Sequence, residues 1–206
     1  MIGEDELSRD LAALVVPQAG RLIAIGDRYE PYRLVDADGV VVAAATAYFR
    51  DLLAAGRAES TVRSYGMDLL RWFRFLWSGT EVTWDRATRI EARDFCRWLQ
   101  VTGRQSWPHW RARAEGEAPV PFSAGVPYAP SVRAHSETVL RAFYNFHLDA
   151  GSGPVINPFP LDRSRRGGRA HAHHNPMEPY RNERTGLYRP RVPGRIPRSV
   201  PDGEFN

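Results

Sequence analysis

Guanidinium groups on one side of a helix are the clearest chemistry in the sequence. At about 100° per residue, Arg63, Ser64, Met67, Arg71 and Arg74 fall on one arc of a helix expected from about Thr61 to Trp77. Val62, Tyr65, Leu69, Trp72, Phe73 and Leu76 fall on the other. Arginine offers a planar fork of donors that suits phosphates and guanine edges, although the same pattern also describes a solvated helix face. Arg163, Arg165, Arg166 and Arg169 form a denser basic run, readable as a phosphate-contacting strap or as a solvated tail. Trp107 and Trp110 beside Arg111 and Arg113 suit stacking on a nucleic acid, but loop anchoring is the plainer reading. His171, His173 and His174 suggest zinc. No cysteine or paired carboxylate completes a ligand set there, so neither a metal nor a cofactor is expected.

The whole chain sets the background for these groups. It has 206 residues, of which 43% are hydrophobic, enough for one ordinary core with tails or for two small domains. All 28 basic residues are arginine, a bias that GC-rich coding alone produces. The formal net charge is +4. Residues 1–58 carry 6 Arg against 9 acids, whereas residues 161–206 carry 10 Arg against 5. A basic, proline-rich segment after a folded region points toward a polyanion. Cys96 is the single cysteine, which excludes an internal disulfide. No apolar run reaches the ~20 residues of a membrane span, and the acidic start lacks the features of a signal peptide. A reducing, cytoplasmic location is the expectation.

Four helices are expected to position the candidate groups. The first runs from about Val40 to Ala55, with Val41, Ala45, Tyr48 and Leu52 as its stripe and Gly56 as its C-terminal cap. Ser60 is read as the N-cap of the second. The third spans about Arg89 to Thr102, opened by a capping box from Thr88 to Glu91 and closed by Gly103. Its stripe is Ala92, Phe95, Cys96 and Leu99, which makes Cys96 a core residue. Prolines at 108, 119, 121, 127 and 130 make residues 103–130 a long loop. The fourth helix runs from about Val132 to Ala150, with Pro130-Ser131 as stop and N-cap and Val139, Ala142, Phe143 and Phe146 as its stripe. Before residue 40, Arg21–Ile25 and Tyr32–Val35 could form short strands, followed by a turn at Asp36-Ala37-Asp38-Gly39. From Asn157 onward, few apolar residues remain to bury, and the chain is read as a linker.

The order of these elements resembles the core-binding domain of tyrosine recombinases, the phage integrases. Ser60-Thr61-Val62-Arg63-Ser64-Tyr65-Gly66-Met67-Asp68-Leu69 is similar to that family's S-x-T-x-x-x-Y-x-x-D-L opening, here with Ser and Thr adjacent. Arg71-Trp72-Phe73-Arg74-Phe75-Leu76 follows in the style of its aromatic ending. Ser131 through Arg141-Ala142-Phe143-Tyr144 resembles a second family helix, and Asn157-Pro158 follows at the usual place. Arg195-Ile196-Pro197-Arg198 and Pro201-Asp202 look like the linker toward a catalytic domain.

The resemblance implies an all-α fold: a four-helix, SAM-like core-binding domain over residues 41–158. An irregular extension (1–40) would precede it, and a Pro/Arg-rich interdomain linker (159–206) would follow. It also implies a partner, double-stranded DNA, and in the intact family other recombinase protomers on that DNA. Carried over, the DNA-binding residues are Ser60, Thr61, Arg63, Ser64, Arg71 and Arg74 on the second helix, Arg133, His135 and Ser136 on the fourth, and Arg165 and Arg166 in the linker. A helical wheel puts His135 near the apolar arc. The family's catalytic residues belong to a following domain, and this chain is expected to end before it. No histidine here has an arginine three residues on, so no catalytic residue is expected. A helical protein–protein module, and an enzyme completed in trans by a second chain, are the competing readings.

Overall fold

The computed structural model describes residues 10–11, 14–78, 82–101, 103–104, 126–162 and 185–192. The linker arginines 163, 165, 166 and 169, Trp107, Trp110, Arg111, Arg113 and the histidines at 171, 173 and 174 lie outside the described residues.

The chain opens with an antiparallel hairpin of β1 (Arg21–Ala24) and β2 (Tyr32–Val35), in which Leu22 faces Leu34 and Ile23 faces Arg33. The fold is helical in the main, as expected, and this pair, at the two segments readable as short strands, adds a small sheet to it. Its approach to the bundle depends on Gly20, whose φ of +68° is open to glycine and whose Cα lies under Val35 and Trp77. The expected turn follows: the Asp36 carboxylate accepts the N–H groups of Asp38 and Val40 at 3.0 and 2.9 Å.

The first helix starts later than its periodicity suggests. Val42 donates to the Leu34 carbonyl and Asp36 to that of Val40, both at 2.9 Å, so residues 40–42 extend the hairpin ladder. Helix α1 therefore spans Ala43–Ala54, and Val41 lies outside it. Ala45, Tyr48 and Leu52 are buried as expected, and Gly56 caps the end with Arg57 N–H reaching back to Leu52 at 2.9 Å.

Helix α2 spans Glu59–Trp77. Ala58 is its N-cap and makes no side-chain cap bond; Ser60 lies inside the first turn, which corrects its reading as a cap. After α2, a short 3-10 turn (Trp84–Arg86) leads into α3 (Arg89–Val101). There the capping box forms: Thr88 N–H donates to Glu91 Oε2 at 2.8 Å, and Ile90 N–H donates to the Thr88 hydroxyl at 3.2 Å. Residues 103–130 are not loop throughout, because β3 (Gly103–Arg104) pairs antiparallel with β4 (Val126–Pro127). Helix α4 spans Pro130–Asp149 with Ala129 as N-cap, so Ser131 is also a first-turn residue and not a cap.

Trp72 is fully buried at the centre of an aromatic core. Its ring meets those of Phe95, Phe159 and Tyr144 edge-on, with centroids 5.2, 5.4 and 6.1 Å away. Its indole N–H donates to the Tyr144 hydroxyl at 2.9 Å, and that hydroxyl donates to the Trp84 carbonyl at 2.9 Å. Burial pushes the Tyr144 phenol far up. Leu140 and Tyr144 join Val139 and Phe143 in the core, while Ala142 and Phe146 are only half-buried. The stripe of α4 is thus rotated from the expected one.

The segment from Asn157, with few apolar residues to bury, is expected to be a linker, and the structure corrects this for residues 157–162 and 185–189. Asn157 Nδ2 donates to the Arg141 carbonyl at 2.9 Å, and Phe159 is fully buried against Trp72 and Tyr144. Leu161 then bridges to Gly186, whose backbone lies against the buried Glu137 carboxylate. Glu137 pairs with Arg141 at 2.7 Å, and burial raises its pKa. No helix among the described residues is long and apolar enough to cross a membrane.

Candidate nucleic-acid interface

Helices α2 and α4 meet along a seam whose contacts advance together on both. Tyr65 meets His135, Asp68 meets His135 and Ser136, and Trp72 meets Tyr144. The N-terminal parts of the two helices therefore share one end of the seam. Most residues assigned to DNA contact lie there.

They divide by exposure. Ser60, Arg63 and Ser64 are exposed, and Thr61 is half-buried. Among the described residues, Arg63 has no hydrogen-bond or ion-pair partner. Since α2 has no side-chain cap, its first N–H groups face the same region, and free helix N–H groups favour anions. Arg133 is half-buried, and its Nε has no partner among the described residues. His135 is exposed, although the wheel places it near the apolar arc.

Three of the assigned residues are not free surface groups, which corrects the placement of Arg71 and Arg74 on an open arginine face and of Ser136 among the contacts of α4. Arg74 Nε donates to the Ala19 carbonyl at 2.7 Å, Nη1 to Gln18 Oε1 at 2.9 Å and Nη2 to the Gly20 carbonyl at 3.0 Å. Its guanidinium ties the entry to the hairpin onto α2, and burial lowers its pKa. Ser136 is buried and donates to Asp68 Oδ1 at 2.5 Å. Arg71 is half-buried: Nη1 donates to Asp68 Oδ1 and, at 3.4 Å, to Ser136 Oγ, while the guanidinium lies 5.6 Å from the Tyr128 ring centre. Arg165 and Arg166 lie outside the described residues.

Asp68 organises this end of the seam and was assigned no role from sequence. Its side chain is 4% exposed, and its oxygens take Arg71, Ser136 and, at 2.7 Å on Oδ2, the Nδ1–H of His135. A buried carboxylate needs such partners to remain charged. The bond to Asp68 raises the His135 pKa above its ordinary 6.5. The sequence did carry one signal: Asp68 stands three residues after Tyr65 and four before Trp72, at the edge of the apolar arc, where a lone acid implies a buried partner. Among the described residues, no group of three or more His, Cys, Asp or Glu side chains gathers as a metal site would need.

A helical bundle with serine, arginine and a carboxylate-bound histidine along one seam belongs to the class of small α-helical domains that present a polar helix pair. Residues 45–111 match the family model of the phage integrase N-terminal SAM-like domain. That segment is similar to the core-binding domain of the phage integrases, the tyrosine recombinases. The match takes in most of α1 and all of α2 and α3, while the hairpin and α4 lie beyond it. No curated protein and no solved structure matches the chain.

Proposed function

We propose that the chain is the DNA-gripping portion of a tyrosine-type site-specific recombinase, holding duplex DNA with the N-terminal parts of α2 and α4. The observation that carries this reading is Arg63, exposed and without a partner among the described residues, beside Ser60 and Ser64 on the start of α2, which has no side-chain cap. Contacts of this kind go mainly to phosphate and set position rather than sequence. Arg165 and Arg166 extend the grip along the basic segment after the bundle. Other recombinase protomers on the same DNA are its natural neighbours.

The test is duplex affinity measured against salt. Each neutralised phosphate contributes a slope of about −0.9 in log affinity against log salt. Arg63→Ala should weaken binding and reduce the slope by about one such unit, with helicity unchanged. Equal affinity and slope in parent and variant would refute the assignment of α2. Val155 and Ile156, 93% and 78% exposed, favour a second reading in which the domain docks on another protein. Ile156→Asp separates the two, because it spares DNA affinity under the first and abolishes partner capture under the second.

A further inference from the structure

Resting on that reading, we infer that Asp68 is a positioning residue which holds His135 and Arg71 as a paired cationic clamp for one backbone phosphate. Asp68 is nearly buried, whereas the side chains it holds are 46% exposed for His135 and 25% for Arg71. One anion lies beneath two cations, so the outer surface keeps a net positive charge while the imidazole is protonated. With Nδ1 committed to Asp68, the imidazole has Nε2–H left to donate, and no described residue meets it. Arg71 commits Nη1 to Asp68 and Ser136 and keeps its remaining N–H groups. Tyr128 under the guanidinium and Tyr65 against the imidazole hold both flat groups in place. Donors fixed in this way lose little freedom when an anion arrives.

The charged and titratable groups facing His135 are Asp68 and Arg71 from α2, with Tyr65 at its edge and Tyr128 beyond Arg71. Asp68 holds the imidazolium to a higher pH than usual, and Arg71 opposes it. The clamp therefore makes DNA affinity dependent on pH: full below about 6.5 and declining as pH rises through the raised value.

The experiment follows fluorescence anisotropy of the full chain on a labelled duplex across salt and from pH 5.5 to 9, with the His135 ring titration read by NMR without DNA. The parent should lose affinity as His135 deprotonates, and His135→Gln should abolish that pH dependence and cost a salt slope of about one phosphate. Asp68→Asn should move the affinity midpoint to lower pH. If that variant does not fold, the parent's NMR midpoint decides, and a value at or below 6.5 overturns the clamp. A parent that loses affinity with Arg63→Ala but is indifferent to His135→Gln overturns the clamp alone. A parent whose duplex affinity has no salt slope overturns both the clamp and the function it serves.

Discussion

His147 and Cys96 are both buried, and each has a measurable consequence. His147 Nε2–H donates to the Ala44 carbonyl at 3.2 Å, and Nδ1 takes the Ser152 hydroxyl at 2.8 Å, so the ring is held neutral and burial lowers its pKa. The unfolded chain takes a proton near the ordinary 6.5 that the folded ring refuses. Stability from His147 is therefore complete above about 6.5 and is lost as pH falls below it. The Asp68–His135 pair has the opposite sign, present below 6.5 and lost as pH rises through the raised value. Thermal unfolding from pH 5 to 9 should thus weaken at both ends, with His147→Gln removing only the acid limb. The Cys96 thiol is pushed up to about 12 by burial, from 9.0. Alkylation at pH 8 should be on the order of a thousandfold slower in the folded chain than in denaturant, which a thiol-reactive dye would show. That Cys96 belongs to the core was legible from the stripe of its helix. The partnership of Asp68 was not, because His135 and Ser136 lie far away in sequence.

The hairpin depends on its junction with α2. At Gly20 a side chain would combine a left-handed backbone with contact against the Val35 carbonyl and the Trp77 ring. Gly20→Ala should cost about 2 kcal/mol in chemical denaturation and loosen the strap that Arg74 holds. Helix-scale features were readable where the determinant is local: the hydrophobic periodicity of α2, the Thr88–Glu91 box, the Gly56 cap and both hairpin strands. They failed where a distant element supplied the determinant. Residues 40–42 satisfy the helical pattern, but their backbone groups are taken by β2, so α1 begins late. Ser60 and Ser131 are good capping residues two positions too late, since Ala58 and Ala129 are the N-caps. Arg74 looked like a free cation because its partners, apart from the Gln18 side chain, are backbone carbonyls at residues 18–20, which no side-chain pattern can announce.

The boundary of the bundle lies beyond its last helix. Phe159 packs against both Trp72 and Tyr144, and Asn157 latches the turn that delivers it. Phe159→Ala should cost about 3–5 kcal/mol, read as a lowered midpoint of a single cooperative transition. A loss below about 1 kcal/mol would return this segment to the tail. Sequence alone missed it because one aromatic among prolines and arginines looks like composition and not like a core contact. The small ladder of Gly103–Arg104 with Val126–Pro127 has an equally global effect. It pins the exit of α3 beside the approach to α4, with Arg104 held opposite Val126. Extra length between pinned ends raises closure entropy only logarithmically. Grafts of different size and chemistry between Arg104 and Val126 should therefore be exchangeable while the aromatic interior keeps its packing.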